Sequence, residues 1–194
     1  LLFLGWIGPA WSAEQPKVEV FKGITLLAVP KPSGATYDVG VVPSAEALAK
    51  LKRALRLIAE KSPTSVTVIE KLKKAGRIFI FYDPRYPNRT MDLGSVRVAL
   101  FLSVGSKYFK LNQLDLPTER AGDKVFPVIV SRHGIKWPLK EVAAVLVHEL
   151  VGHGAQHLED RFTGAAKKST ECEAWLREEQ AYQQFGMDKR SRKM

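Results

Sequence analysis

Residues 145 to 160, VLVHELVGHGAQHLED, hold three of the chain's four histidines, His148, His153 and His157, with Glu149 beside the first. Imidazole nitrogens and carboxylate oxygens are the donors that bind zinc. Three protein ligands with a fourth position left for water make a catalytic site rather than a closed structural one. A zinc ion held this way lowers the pKa of its water to about 7 and polarises a carbonyl. A carboxylate next to a ligand, here Glu149, is placed to accept the water's proton and deliver it to a leaving amine.

The spacing decides which residues can share a metal. The familiar zinc-hydrolase helix reads His-Glu-x-x-His, whereas this one reads His-Glu-x-x-x-His. Residues five apart on a regular α-helix differ by about 140° around the axis, and residues four apart by about 40°. Three readings follow. His148 and His153 share a metal if the helix takes up one extra residue as a π-type bulge, a distortion that clusters at functional sites; Gly152 inside the interval would ease it. If the helix is regular, His153 and His157 form the pair, with Glu149 on the same side. In the third reading the histidines are ordinary helix residues and bind nothing.

The hexapeptide HELVGH resembles the His-Glu-x-x-x-His motif of dipeptidyl peptidase III, a zinc aminopeptidase family whose active-site helix accommodates an extra residue. That family takes its third ligand from a downstream helix, at a glutamate followed by cysteine, with alanine two residues later. TECEAW supplies Glu171, Cys172 and Ala174 in that pattern. The resemblance implies one zinc ion on His148, His153 and Glu171, with Glu149 as general base. Two histidines on one helix and a glutamate on the next is the gluzincin arrangement. The likeness covers about residues 138 to 186, and the chain departs from the pattern at Trp175, where the family has an acidic residue. It therefore resembles a small secreted bacterial metallopeptidase with a minimal zincin-like core more than a true member of that family. Glu173, two residues from Glu171, points to another side of a helix.

Other residues are candidates for supporting roles. A developing oxyanion needs a second electrophile, and His133, His157 and Tyr182 are the candidates. Asp160, Glu173 and Glu178 could orient the zinc-bound histidines. In zincins an edge strand before the active-site helix lines the cleft and takes up peptide by strand addition. VFPVIVSRHG is the candidate, because Pro127 argues for a sheet edge.

The elements that must position these residues are legible in outline. KVEVFKGITLLAVP reads as two short strands around Lys22-Gly23. SAEALAKLKRALRLIAEK is an amphipathic helix capped by Ser44, with Leu48, Leu51, Leu55 and Ile58 at helical spacing. SPTSVTVIEKLKKAG is a second helix, with Pro63 in its first turn and Gly76 at its end. RIFIFYD, VRVALFLSV and VFPVIVS are strands. DPRYPNRTMDLGS is a loop, and GSKYFKLNQLDLPTERAGD an irregular excursion. Pro138 opens an apolar helix reaching about residue 158, FTGAAKKST breaks it, and ECEAWLREEQAYQQF is a last helix ending at Gly186. Helices and strands are segregated, which predicts an α+β fold of N-terminal helices, a small mixed sheet, the active-site helix and a C-terminal helix.

Composition sets the setting. The 194 residues, 45% hydrophobic and 26% charged, suit one globular domain over residues 14–194. LLFLGWIGPAWSA is uncharged and too short to span a bilayer. It resembles the apolar part of a signal peptide, so residues 1–13 are read as its remnant and the protein as periplasmic or secreted in a bacterium. The single cysteine, Cys172, excludes an intramolecular disulfide. The net charge of +10 allows weak contact with an anionic membrane or cell wall, but no nucleic-acid motif accompanies it. The expected partner is a peptide or protein substrate. The alternative is a non-catalytic zinc-binding or basic surface-binding protein on a degenerate zincin scaffold, for which Glu149 would have no use.

Overall fold

The computed structural model describes residues 16–31, 34–35, 40–86, 98–111, 114, 116–120, 122–162 and 168–187. The expected signal-peptide remnant, residues 163–167 and the NRTMDLGS part of the loop lie outside them. Strands β1 (Lys17–Phe21) and β2 (Ile24–Ala28) form an antiparallel hairpin. Its two-residue turn puts Lys22 at φ 49 and Gly23 at φ 75. Two consecutive left-handed residues match the twist of a hairpin, and glycine takes the second without strain. Helices α1 (Ser44–Lys61) and α2 (Pro63–Ala75) then lead to β3 (Gly76–Asp83). Ser44 is not a cap: it is the first helical residue, and the Pro43 carbonyl accepts the first helical bond from Ala47 N–H at 2.9 Å. Proline has no side-chain acceptor, so this end carries no side-chain cap hydrogen bond.

Strand β4 is only Ala99–Phe101, and a short helix α3 (Lys107–Leu111) interrupts the excursion before β5 (Lys124–Ser131). The sheet order is β1-β2-β3-β5-β4, with β2, β3 and β5 parallel and the outer two strands antiparallel to their neighbours. The architecture is α+β with a mixed sheet. The expected edge strand is corrected here: β5 is interior, and β4 is the edge. Pro127 is tolerated because it stands where β4 leaves the ladder. Its carbonyl accepts from Leu102 N–H at 3.2 Å, and the return bond that proline cannot donate is simply not made.

A 3-10 turn (Gly134–Lys136) follows β5, and then a continuous helical rod. The rod comprises α4 (Leu139–Leu146), a π turn (Val147–His153) and α5 (Gly154–Leu158). Helix α6 (Lys168–Gln184) closes the described chain and ends at Gly186. Alternation along the strands sorts two cores. Leu26, Ile80, Val128 and Val130 face α1, α2 and the rod, whereas Phe81 and Ile129 face Tyr86 and Phe109 on the far side. Among the described residues no helix is long and apolar enough to cross a membrane.

Candidate metal centre

All seven residues of the π turn are buried. An i→i+5 register stacks residues five apart, so the one-residue excess that separates the histidines on a regular helix is absorbed. The rings of His148 and His153 meet edge to face with centroids 5.0 Å apart. The turn packs against β4, α2 and α6. The closest approach is at Gly152, where an added Cβ would lie 2.7 Å from Ala174 Cβ on α6. Gly152 is therefore required by the crossing of two helices, and that crossing delivers Glu171, one turn before Ala174, to the histidines.

Nε2 of His148 lies 3.4 Å from Oε2 of Glu171, and Nε2 of His153 lies 3.6 Å from Oε1 of the same carboxylate. Ligand bonds of about 2.0–2.2 Å in a tetrahedron imply ligand-to-ligand distances of about 3.4 Å. Both histidine-to-carboxylate distances are thus close to what a shared metal would set, each on a different oxygen of Glu171. The opposite ring nitrogens are held. His148 Nδ1 lies 3.0 Å from Glu178 Oε2. His153 Nδ1 lies 2.9 Å from Gln156 Oε1, and Gln156 Nε2 donates to the Thr170 carbonyl at 2.8 Å. A carbonyl only accepts, so the Gln156 amide must turn its oxygen to His153. Both Nδ1 atoms then carry the proton, and both Nε2 atoms keep the lone pair a metal needs.

Glu149 is buried beside the pair, and its Oε2 accepts from Phe101 N–H at 2.7 Å on the edge strand. Burial pushes its carboxyl above the usual range, against the pull of His148, His153 and the Phe101 N–H. For His148, burial disfavours the charged ring, but the Glu178 hydrogen bond and the carboxylates of Glu149, Glu178 and Glu171 outweigh it and raise its pKa. Glu149, Glu171 and Glu178 thus lie around the two imidazoles, and a bound cation would offset the charge of the ionised carboxyls.

His148, Glu149 and His153 each bring one ligand atom within 4.8 Å of the others, so Glu149 could in principle complete the set. Glu171 is the other carboxylate that the two rings face. Its two oxygens face the two Nε2 atoms, whereas one oxygen of Glu149 is taken by the backbone of β4.

The remaining candidates separate by their contacts. His157 Nε2 pairs with Glu119 at 2.7 Å, and its ring packs on Phe101 and Phe126, so the regular-helix pair of His153 and His157 does not form. The Tyr182 hydroxyl donates to Glu141, where α6 crosses α4. His133 is half-buried in the turn after β5. His157 and Tyr182 are thus engaged with Glu119 and Glu141. Asp160 pairs with Lys124 instead of a histidine, and Glu173 reaches the site only through Gln156, while Arg161 holds its carboxyl below the usual range. Of the three carboxylates considered for orienting the histidines, Glu178 is the one in direct contact. Gln156 was not among the candidates, though a polar side chain three residues after His153 on one helical face was a visible signal.

No family model matches this chain, and no curated protein or solved structure matches it. What the site does must therefore be argued from its geometry.

Proposed function

We propose that this chain is a zinc-dependent peptidase with a zincin-like core, in which His148, His153 and Glu171 hold one zinc ion and Glu149 is the general base. The observation that carries the proposal is the convergence of two histidine Nε2 atoms on one carboxylate at 3.4 and 3.6 Å, across a π turn and a second helix. The donor set, two imidazoles and one carboxylate, is that of zinc sites that keep a position open for water. Zinc, when bound, polarises the scissile carbonyl and lowers the pKa of that water.

Glu149 takes the proton at the oxygen not bonded to Phe101 and returns it to the leaving amine. Burial makes it a stronger base than a solvent-exposed carboxylate, and the Phe101 N–H fixes its orientation. A pure metal scaffold has no need of such a group, which favours catalysis over zinc binding alone. The edge strand β4, tied to Glu149 through Phe101, is the element beside which an extended peptide would lie.

The test is metal content and peptide hydrolysis measured together. The parent is expected to hold one zinc per chain and to cleave a peptide library. Glu171→Ala should lose the metal, His157→Ala should keep it, and Glu149→Gln should keep it while turnover falls by about 10²-fold or more. A parent that binds no zinc, or a Glu149→Gln variant with parental turnover, would refute the reading.

A further inference from the structure

The buried members of the site are closed off, but Glu171 is not: 38% of its side chain is exposed, so the site meets solvent on the α6 side. On that side α6 presents one large apolar residue outward, Trp175, about one turn after Glu171 and 53% exposed. The Trp175 ring packs edge-on against the His148 ring with centroids 5.0 Å apart. On the other flank Phe162 packs on His153 at 5.4 Å and on Phe101 at 5.1 Å. The histidine pair is thus bordered by an aromatic ring on each side.

Trp175 is not needed to orient His148, because Glu178 already holds the Nδ1 atom. Nor is it a sealed core residue, since half of its surface faces water. A half-exposed tryptophan against a metal-site residue offers what a binding wall needs: a large rigid apolar face at low entropic cost.

We propose that Trp175 is the specificity wall of the peptidase, packing against an apolar or aromatic side chain beside the scissile bond. This rests on the peptidase reading above. It identifies the substrate class as peptides carrying a large apolar residue next to the cleaved bond, and it makes Trp175 a substrate contact and not a ligand or a base.

The experiment uses the zinc-loaded Glu149→Gln chain as a non-hydrolysing trap. Dye-labelled hexapeptides that differ only in one central residue (Phe, Leu, Ser or Glu) are titrated by fluorescence anisotropy, with and without Trp175→Ala or Trp175→Phe. The trap should bind the Phe and Leu peptides about tenfold more tightly than the Ser and Glu peptides. Trp175→Ala should abolish that preference and leave Ser binding unchanged, Trp175→Phe should keep most of it, and all variants should hold one zinc. Unchanged discrimination in zinc-loaded Trp175→Ala overturns the wall while the active parent stands. So does self-association of the parent that Trp175→Ala abolishes with no peptide preference, which would make a second copy of the chain the occupant. A parent without zinc or turnover overturns the peptidase reading itself, and the wall with it.

Discussion

Each histidine of the centre is useful only because its far nitrogen is occupied. Glu178 holds Nδ1 of His148 at 3.0 Å and Gln156 holds Nδ1 of His153 at 2.9 Å, so both rings are fixed in tautomer and in direction. The two supports differ in kind. Glu178 brings a carboxylate, which raises the basicity of the ring, whereas Gln156 brings a neutral amide locked by Thr170. Outer partners of this kind are worth about 10- to 100-fold in metal affinity. Glu178→Ala and Gln156→Leu should each weaken zinc binding by about that factor without abolishing it. A chelator-competition titration measures this, and parental affinity in both variants would show that the rings are positioned by packing alone. At this scale the sequence was readable where chemistry and spacing coincide, at His148, Glu149 and His153. It was not readable at the supports. Glu178 stands 30 residues from His148, and nothing local distinguishes it from Asp160 or Glu173 until the fold turns Asp160 toward Lys124 and Glu173 toward Arg161. His157 misleads for the same reason: its partner, Glu119, lies 38 residues upstream.

Among the elements, the crossing of α6 over the π turn decides whether a third ligand exists. Contact between Gly152 and Ala174 sets the depth of that crossing, and Glu171 sits one turn earlier on α6. Gly152→Ala places a Cβ 2.7 Å from Ala174 Cβ and 2.8 Å from its Cα, which forces the helices apart. Overpacking of this kind costs about 1–3 kcal/mol, and the higher helix propensity of alanine returns up to about 1 kcal/mol. Stability should therefore fall by up to about 2–3 kcal/mol, and zinc affinity should fall as well because Glu171 is drawn away from the histidines. The double variant Gly152→Ala/Ala174→Gly should recover affinity by restoring the approach. Urea melts beside zinc titrations of the three variants test this, and a double variant no better than the single one would locate the damage elsewhere. Elements with a clear period were legible: α1 covers the residues its leucine spacing predicts, and the extra residue of HELVGH predicts the π turn that is found. Strand rank was not. Pro127 suggested an edge, but strand order depends on pairing between distant segments, which no local pattern records.

At the scale of the whole molecule, segregation of helices and strands correctly indicated α+β. The parallel pairing of β2, β3 and β5 was hidden, because it is made by contacts far apart in sequence. The metal centre lies where two distant parts of that architecture meet, the rod behind the sheet edge and the C-terminal helix. A ligand that bridges them and binds only the folded chain stabilises the whole by mass action, about 2.7 kcal/mol at a free concentration one hundred times the dissociation constant. For a domain of this size each kcal/mol shifts the melting temperature by about 2–4 °C. Zinc should therefore raise the melting temperature by about 5–10 °C, and a chelator should remove the increment. In Glu171→Ala the metal can no longer join α6 to the rod, so the increment should shrink to near zero. In Trp175→Ala and Glu149→Gln it should survive, because neither residue is one of the proposed ligands. An equal rise in the parent and in Glu171→Ala would mean that zinc sits on the rod alone, with Glu149 in place of Glu171. The residue proposed as the base would then be a ligand, and the peptidase mechanism would lose its proton acceptor.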